Sequence, residues 1–352
     1  MIKFIFYLSG TEKVVGDVRN YSTAEQENTT SGRSRGDSWS PDIYHNLQEI
    51  QERMFWLAQN HPELVAVEEL GRSHEGRSID VLTVREPGPH CRPVIWLDCG
   101  IHSREWISPP ACLHAVARLV EMANALDPRE NLLSVYDFYI LPVVNPDGYA
   151  YSWSSDRMWR GNRNPNYTYS NCSGVDINRN FPQFKNGTRE EIPCSETFRG
   201  EAPFSEPESR AIRDGLERIR SLYGPNKIAA YVSVHAFSQM WLSPYGYTNN
   251  RTEDYGDQMR VMRKAVEALK SVHGTEFTYG PLTEILYEAP GTSIDWAYDE
   301  LGVKYSFTPE LRPAGPPGFL LPADQIRDTV VETWAAIAAM AREIAPEFGI
   351  YI

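Results

Sequence analysis

No run of 18 apolar residues occurs in this chain, so nothing in it is long enough to cross a bilayer as a helix. Positive charge is also scarce. Against 47 aspartates and glutamates stand 34 lysines and arginines, and the formal net charge of -13 argues against nucleic acid as a partner. No internal repeat is visible, and residues 9 to 39 hold few large apolar side chains. What is present suffices for a soluble globular protein: 352 residues, 41% hydrophobic and 12% aromatic, can bury a large core as one big α/β domain or two smaller ones.

Two features bear on the compartment. Asn-x-Ser/Thr acceptor patterns occur at Asn20, Asn28, Asn166, Asn171, Asn186 and Asn250, and the five cysteines are Cys91, Cys99, Cys112, Cys172 and Cys194. Chance sequons and reduced core thiols are the bland alternative, but six acceptor sites in one chain favour secretion to the extracellular space. The N-terminus does not complete that picture. Met1 to Leu8 carries one lysine and the short apolar patch Phe4 to Leu8, below the length of a signal-peptide core, which points to a truncated start or an atypical export signal.

Residues 1 to 39 are expected to be poorly ordered. Within them Ser31 to Gly36 is an exposed basic stretch that reads equally as a processing site or a solvated linker. The globular part, residues 40 to 352, is expected to open with a helix from Ser40 to about Asn60, with Ser40 as N-cap and Pro41 and Asp42 in the first turn. Strands are expected at Ile79 to Val84, Val94 to Leu97, Phe138 to Val144, Ile228 to Val234 and Lys304 to Phe307. Helices are expected at Ser108 to Leu126, Ser205 to Leu222 with a Ser205/Glu208 capping box, Thr252 to His273, Thr292 to Leu301 and Ala323 to Ile344. This alternation implies an α/β sheet covered by helices on both faces.

The chemistry centres on Trp96 to Ile107, where His102 and Glu105 stand three residues apart just past a buried apolar strand. Imidazole and carboxylate are ligands of catalytic zinc, a site that needs a third protein ligand and one position left for water. By itself His-x-x-Glu is a weak pattern. Its weight comes from position: His102 follows one strand, His235 ends another and Glu310 lies just beyond a third, and open α/β sheets bind ligands outside the carboxyl ends of their strands.

Taken with Met158-Trp-Arg160, Asp176-Ile-Asn-Arg-Asn180, Ser233-Val-His235, Ile285-Leu-Tyr287 and Phe307-Thr-Pro-Glu-Leu-Arg312, all in order, the chain from about Ser40 to Ile350 resembles the zinc metallocarboxypeptidases of the pancreatic A and B type. The resemblance implies a single large domain with a central mixed, twisted β-sheet between helices. It implies one zinc per chain on His102, Glu105 and His235, with Asp176 as partner of the first histidine and Glu310 as the general base acting on the zinc-bound water. Arg160 would stabilise the oxyanion, while Asn178, Arg179 and Tyr287 would hold the substrate's terminal carboxylate and Arg104 would face the substrate. The implied partners are peptides or proteins with a free C-terminus, met by a monomer without nucleic acid or membrane.

Ile294 matches the base of the pocket for the C-terminal side chain, where B-type enzymes place an aspartate, so apolar or aromatic C-termini are expected. The neighbouring Asp295 would point about 100° away on a helix. Two departures stand out. Phe237 replaces a tyrosine near the substrate subsites, and Pro309 lacks a backbone donor beside Glu310, which could displace the base. The resemblance further implies disulfides Cys172 with Cys194 and Cys99 with Cys112, leaving Cys91 free or paired between chains. If the N-terminal segment is the remnant of a propeptide, Arg33 or Arg35 would be the activation site.

Overall fold

The computed structural model describes residues 39–124, 130–165, 172–182 and 192–350. The basic stretch Ser31 to Gly36, the N-terminal segment before residue 39, five of the six sequons and the expected helix end at Leu126 lie outside those residues. Among the described residues eight strands form one sheet: β1 (Val65–Arg72), β2 (Ser78–Val84), β3 (Val94–Cys99), β4 (Asp137–Leu141), β5 (Ile228–Ala236), β6 (Met240–Ser243), β7 (Thr278–Pro281) and β8 (Tyr305–Leu311). Their order across the sheet is β1-β2-β4-β3-β5-β8-β6-β7. The centre, β4-β3-β5-β8, is parallel, while β1-β2, β2-β4 and β6-β8 are antiparallel, so the sheet is mixed as expected.

Parallel strands buried on both faces need apolar side chains at every position. Along β3, Ile95, Leu97 and Cys99 enter one core cluster while Val94 and Trp96 enter the other. The first cluster is covered by α1 (Leu47–Asn60), α2 (Ser108–Ala123), α5 (Tyr255–His273) and α8 (Ile326–Ile344). The second is covered by α4 (Pro207–Tyr223) and α7 (Ser293–Asp299). Two shorter helices, α3 (Pro146–Ser154) and α6 (Leu282–Ile285), complete the set.

Several expected boundaries are corrected. The first helix begins at Leu47 and not Ser40, because Asn46 and Glu49 make the reciprocal capping box and Pro41 and Asp42 lie in a turn. Ile107, not Ser108, occupies the N-cap of α2. For α4 the N-cap is Glu206, without a side-chain cap bond, so there is no Ser205/Glu208 box; Ser205 Oγ donates to Glu206 Oε1 instead. Helix α5 starts at Tyr255 rather than Thr252. Strands β1, β6 and β7 and helices α3 and α6 go beyond the expected elements: β1 is a half-exposed edge strand, and β6, β7 and α6 are four residues each, too short for a clear period. Strand β8 extends to Leu311, so Glu310 lies inside it.

Candidate active site

The site sits at the carboxyl ends of β3, β5 and β8. After β3 the chain turns at Gly100, whose φ of +64° suits glycine; a Cβ there would lie 3.3 Å from both the Pro142 carbonyl oxygen and the Val143 Cα. The following loop is clamped by Ser108, whose Oγ accepts from Gly100 N at 2.9 Å and donates to the Glu105 carbonyl at 3.1 Å. A Cys99–Cys112 disulfide ties the strand end to α2. His102 and Glu105 are thereby held over the sheet.

There they meet His235 from the end of β5. His102 Nδ1 stands 2.7 Å from Glu105 Oε1, His235 Nδ1 3.1 Å from Glu105 Oε2, and the two Nδ1 atoms 3.0 Å apart. The tautomers that leave both inner nitrogens free for a metal have the outer nitrogens as donors. His102 Nε2 donates to Asp176 Oδ1 at 3.0 Å; His235 Nε2 donates to Ser233 Oγ at 3.2 Å, whose own hydrogen goes to Asp98 Oδ1 at 2.6 Å. Each Nδ1 therefore keeps its lone pair. Two lone pairs and a carboxylate converging in a buried space repel one another, and a cation between them removes the conflict, so this donor set fits zinc.

Asp176 joins this group to Arg160. Its Oδ2 accepts from Arg160 Nε at 3.0 Å and Nη2 at 2.8 Å, leaving Nη1 uncommitted among the described residues. Burial opposes ionisation of Asp176, but Arg160, His102 and Arg179 hold its carboxyl well below the usual range. His102 is pushed down by burial and by the Arg160 charge. The same Asp176 caps the 3₁₀ turn Ile177–Arg179 through Asn178 N, at 3.0 Å, which orients the next two candidates. Asn178 Oδ1 accepts from Ser293 N at 2.9 Å, and Arg179 Nη1 donates to the Asn178 carbonyl at 2.9 Å while its Nε is buried without a partner.

Glu310 lies opposite His235 in the β5–β8 register. Between Val232↔Phe307 and that pair the β5–β8 ladder skips Thr308 and Pro309, and Pro309 stands opposite Trp241 of β6. Burial, with the nearby Glu105 carboxylate, pushes Glu310 up to about 8. His102, Arg160, Asn178, Arg179, His235, Tyr287 and Glu310 all line one small cavity of about 60 Å³. Tyr287 projects from it, 59% exposed.

Besides Glu105, which faces the two histidines, three predicted residues stand apart from that lining. Ile294 is 1% exposed in the apolar cluster of Leu242, Leu282 and Ala289, which do line the cavity. Its neighbour Asp295 accepts from Gly246 N at 2.9 Å with both oxygens and is pushed up to about 7 by burial. Arg104 and Phe237 meet on Phe319, the guanidinium 4.4 Å above the ring and Phe237 edge-on at 4.8 Å, with Arg104 also 3.2 Å from Glu196. Sequence reasoning missed Asp98, Glu196, Phe319 and the apolar walls Leu242 and Leu282. Only Asp98 left a signal, a lone charge within an otherwise apolar strand.

Comparison with known proteins agrees with this geometry. The zinc carboxypeptidase family profile matches residues 50–336. Human carboxypeptidase B2 is 41% identical over 302 residues, covering 85% of this chain and 70% of that protein; rat carboxypeptidase A2 is 39% identical over 313 residues, covering 89% and 73%. The crystal structure of thrombin-activatable fibrinolysis inhibitor superposes with a TM-score of 0.87 at 39% identity, covering 96% of this chain and 83% of that one. The carboxypeptidase A of Helicoverpa armigera does so with 0.86 at 31%, covering 97% and 84%. With a profile spanning most of its length and relatives of both the A and the B type, this chain belongs to the zinc carboxypeptidase family, metal-dependent exopeptidases acting on peptides.

Proposed function

We propose that the chain removes C-terminal residues with apolar or aromatic side chains from peptides and proteins, and that His102, Glu105 and His235 hold its zinc. Bound zinc supplies a Lewis acid that polarises the scissile carbonyl and makes water acidic near neutrality. Glu310 takes the proton from the attacking water and hands it to the leaving amine. Arg160, steadied by Asp176, turns its free Nη1 to the carbonyl oxygen as negative charge develops there, inside a site shielded from water. Arg179, with its unpartnered buried Nε, receives the terminal carboxylate together with Asn178 and Tyr287. Arg104 and Phe237 border the residues preceding the cleaved bond.

The single observation that carries the reading is that the three ligand candidates cluster together and that two of them, His102 and His235, line one cavity with Glu310, Arg160 and Arg179. The A-like preference is supported by Ile294 and by Asp295, whose oxygens are committed to the Gly246 backbone and offer no counter-charge to lysine or arginine. An apolar side chain gains about 1.5 to 3 kcal/mol from burial, whereas an unpaired buried cation loses several kcal/mol. Two disulfides and the exposed sequon Asn250 support an oxidising, extracellular setting. The test is the ratio of specificity constants for matched peptides ending in Phe, in Arg and in Phe-amide. Phe should be cleaved far faster than either, and an enzyme favouring Arg would overturn the A-like preference.

A further inference from the structure

We propose that His74, Glu206 and Glu208 form a second divalent-cation site of the zinc class, weaker than and separate from the catalytic one. One donor atom from each lies within 4.8 Å of the others. Glu206 caps α4 and Glu208 stands in its first turn, both fully buried, while His74, in the turn after β1, is 19% exposed and closes the cluster at the surface.

Two observations point to a missing cation. First, Glu208 Oε1 is buried without a hydrogen-bond partner, although its Oε2 accepts from Asn162 Nδ2 at 2.9 Å. Second, among the described residues neither carboxylate is ion-paired with a lysine or arginine. The nearby Arg77 is committed to Asp147 at 2.8 Å and to Glu75, so two buried carboxylates share one imidazole, His74 Nε2, 2.9 Å from Glu206 Oε2. Buried carboxylates without countercharge are costly, and the partial charge of the α4 N-terminus offsets only part of that. In its absence Glu208 is pushed up to about 7 by burial and by Glu206.

One imidazole and two carboxylates match a zinc-class ion, whose N and O ligands sit at about 2.0 to 2.2 Å and so lie roughly 3.3 Å from one another. The pair His74–Glu206 already approaches that spacing, and the imidazole, at the surface end of the cluster, can shift without disturbing the core. Asn162, Asn164 and Ser205 orient Glu206 with three amide contacts and one hydroxyl donation, and Asn162 also donates to Glu208, the outer support such ligands require.

The experiment starts from enzyme already holding one equivalent of zinc and follows further zinc binding by equilibrium dialysis with metal analysis. The wild type should bind a second equivalent with micromolar affinity, and His74→Gln should weaken that binding at least about tenfold, since metal sites lose roughly that much with one supporting group. Both should cleave peptide equally at one equivalent. Glu208→Gln, of the same shape, should abolish the second equivalent while its circular dichroism stays that of the wild type. No second equivalent in the wild type at about 100 µM free zinc, or one that both variants retain, overturns the site. Because peptide cleavage is read separately, failure here leaves the exopeptidase reading standing.

Discussion

The roles of single side chains are the most sharply testable part of this site. Glu310→Gln keeps the shape and the neighbouring ligands but cannot accept a proton. Turnover should fall by roughly 10² to 10⁴-fold with zinc content unchanged, and a variant of near-normal kcat would remove Glu310 as the base. Arg179→Ala and amidation of the substrate should damage one interaction, so their losses in specificity constant combine to less than the sum in a double cycle; additive losses would refute the pairing. Ile294→Asp should shift preference from Phe toward Arg by one to several orders of magnitude, an estimate from the cost of burying an ion without a partner. Because Ile294 sits in the apolar cluster of Leu242 and Leu282, the same substitution should lower the melting temperature, and differential scanning calorimetry checks that cost. The ligand candidates and Glu310 were legible in the sequence because short motifs carry them. Which nitrogen of each histidine faces the site was not, since that depends on Asp176 for His102 and, for His235, on Ser233 being tied to Asp98 of a neighbouring strand.

At the scale of elements, α2 carries a second titratable feature. His114 lies on it beside a cavity between α1, α2 and α8 that is lined also by Trp39, His45, Arg53, Glu121 and Arg327. Burial, then Arg118 and Arg327, push His114 down to about 4 from 6.5. The unfolded chain therefore binds the proton over that interval and the folded one does not, so this contribution is fully present above pH 6.5 and is lost as pH falls toward 4. Its full size is at most about 3 kcal/mol. His114→Gln should flatten the decline in unfolding free energy on acidification, followed by urea titration at pH 4.5, 5.5 and 7; an unchanged slope would show that His114 does not titrate this way. Element types were readable from period, as in β3 and β5, whose apolar runs Val94 to Leu97 and Ile228 to Val232 announce burial on both faces. Boundaries were not, because caps are settled by competition among neighbours: Asn46 with Glu49 outdoes Ser40, and the buried Glu206 displaces Ser205 from the start of α4.

For the molecule as a whole the decisive quantity is the metal. Chelation should abolish activity, and one equivalent of zinc should restore it and raise the melting temperature, since an ion that binds only the folded state stabilises it by mass action. Restoration by zinc failing at every concentration would remove the metal mechanism. The sequence by itself determined the α/β class and the zinc ligand candidates, while its resemblance to the zinc carboxypeptidases supplied the candidate base and two disulfide pairings that the structure holds. These are carried by local period and by motifs whose spacing is chemistry. Only the tertiary structure decided that Asp295 is taken by the Gly246 backbone, that Asp176 serves both His102 and Arg160, and that His74 stands over two buried carboxylates. Each of those is a contact between segments remote in sequence, and such contacts exist only once the sheet has brought the ends of β3, β5 and β8 together and α4 has packed against its edge.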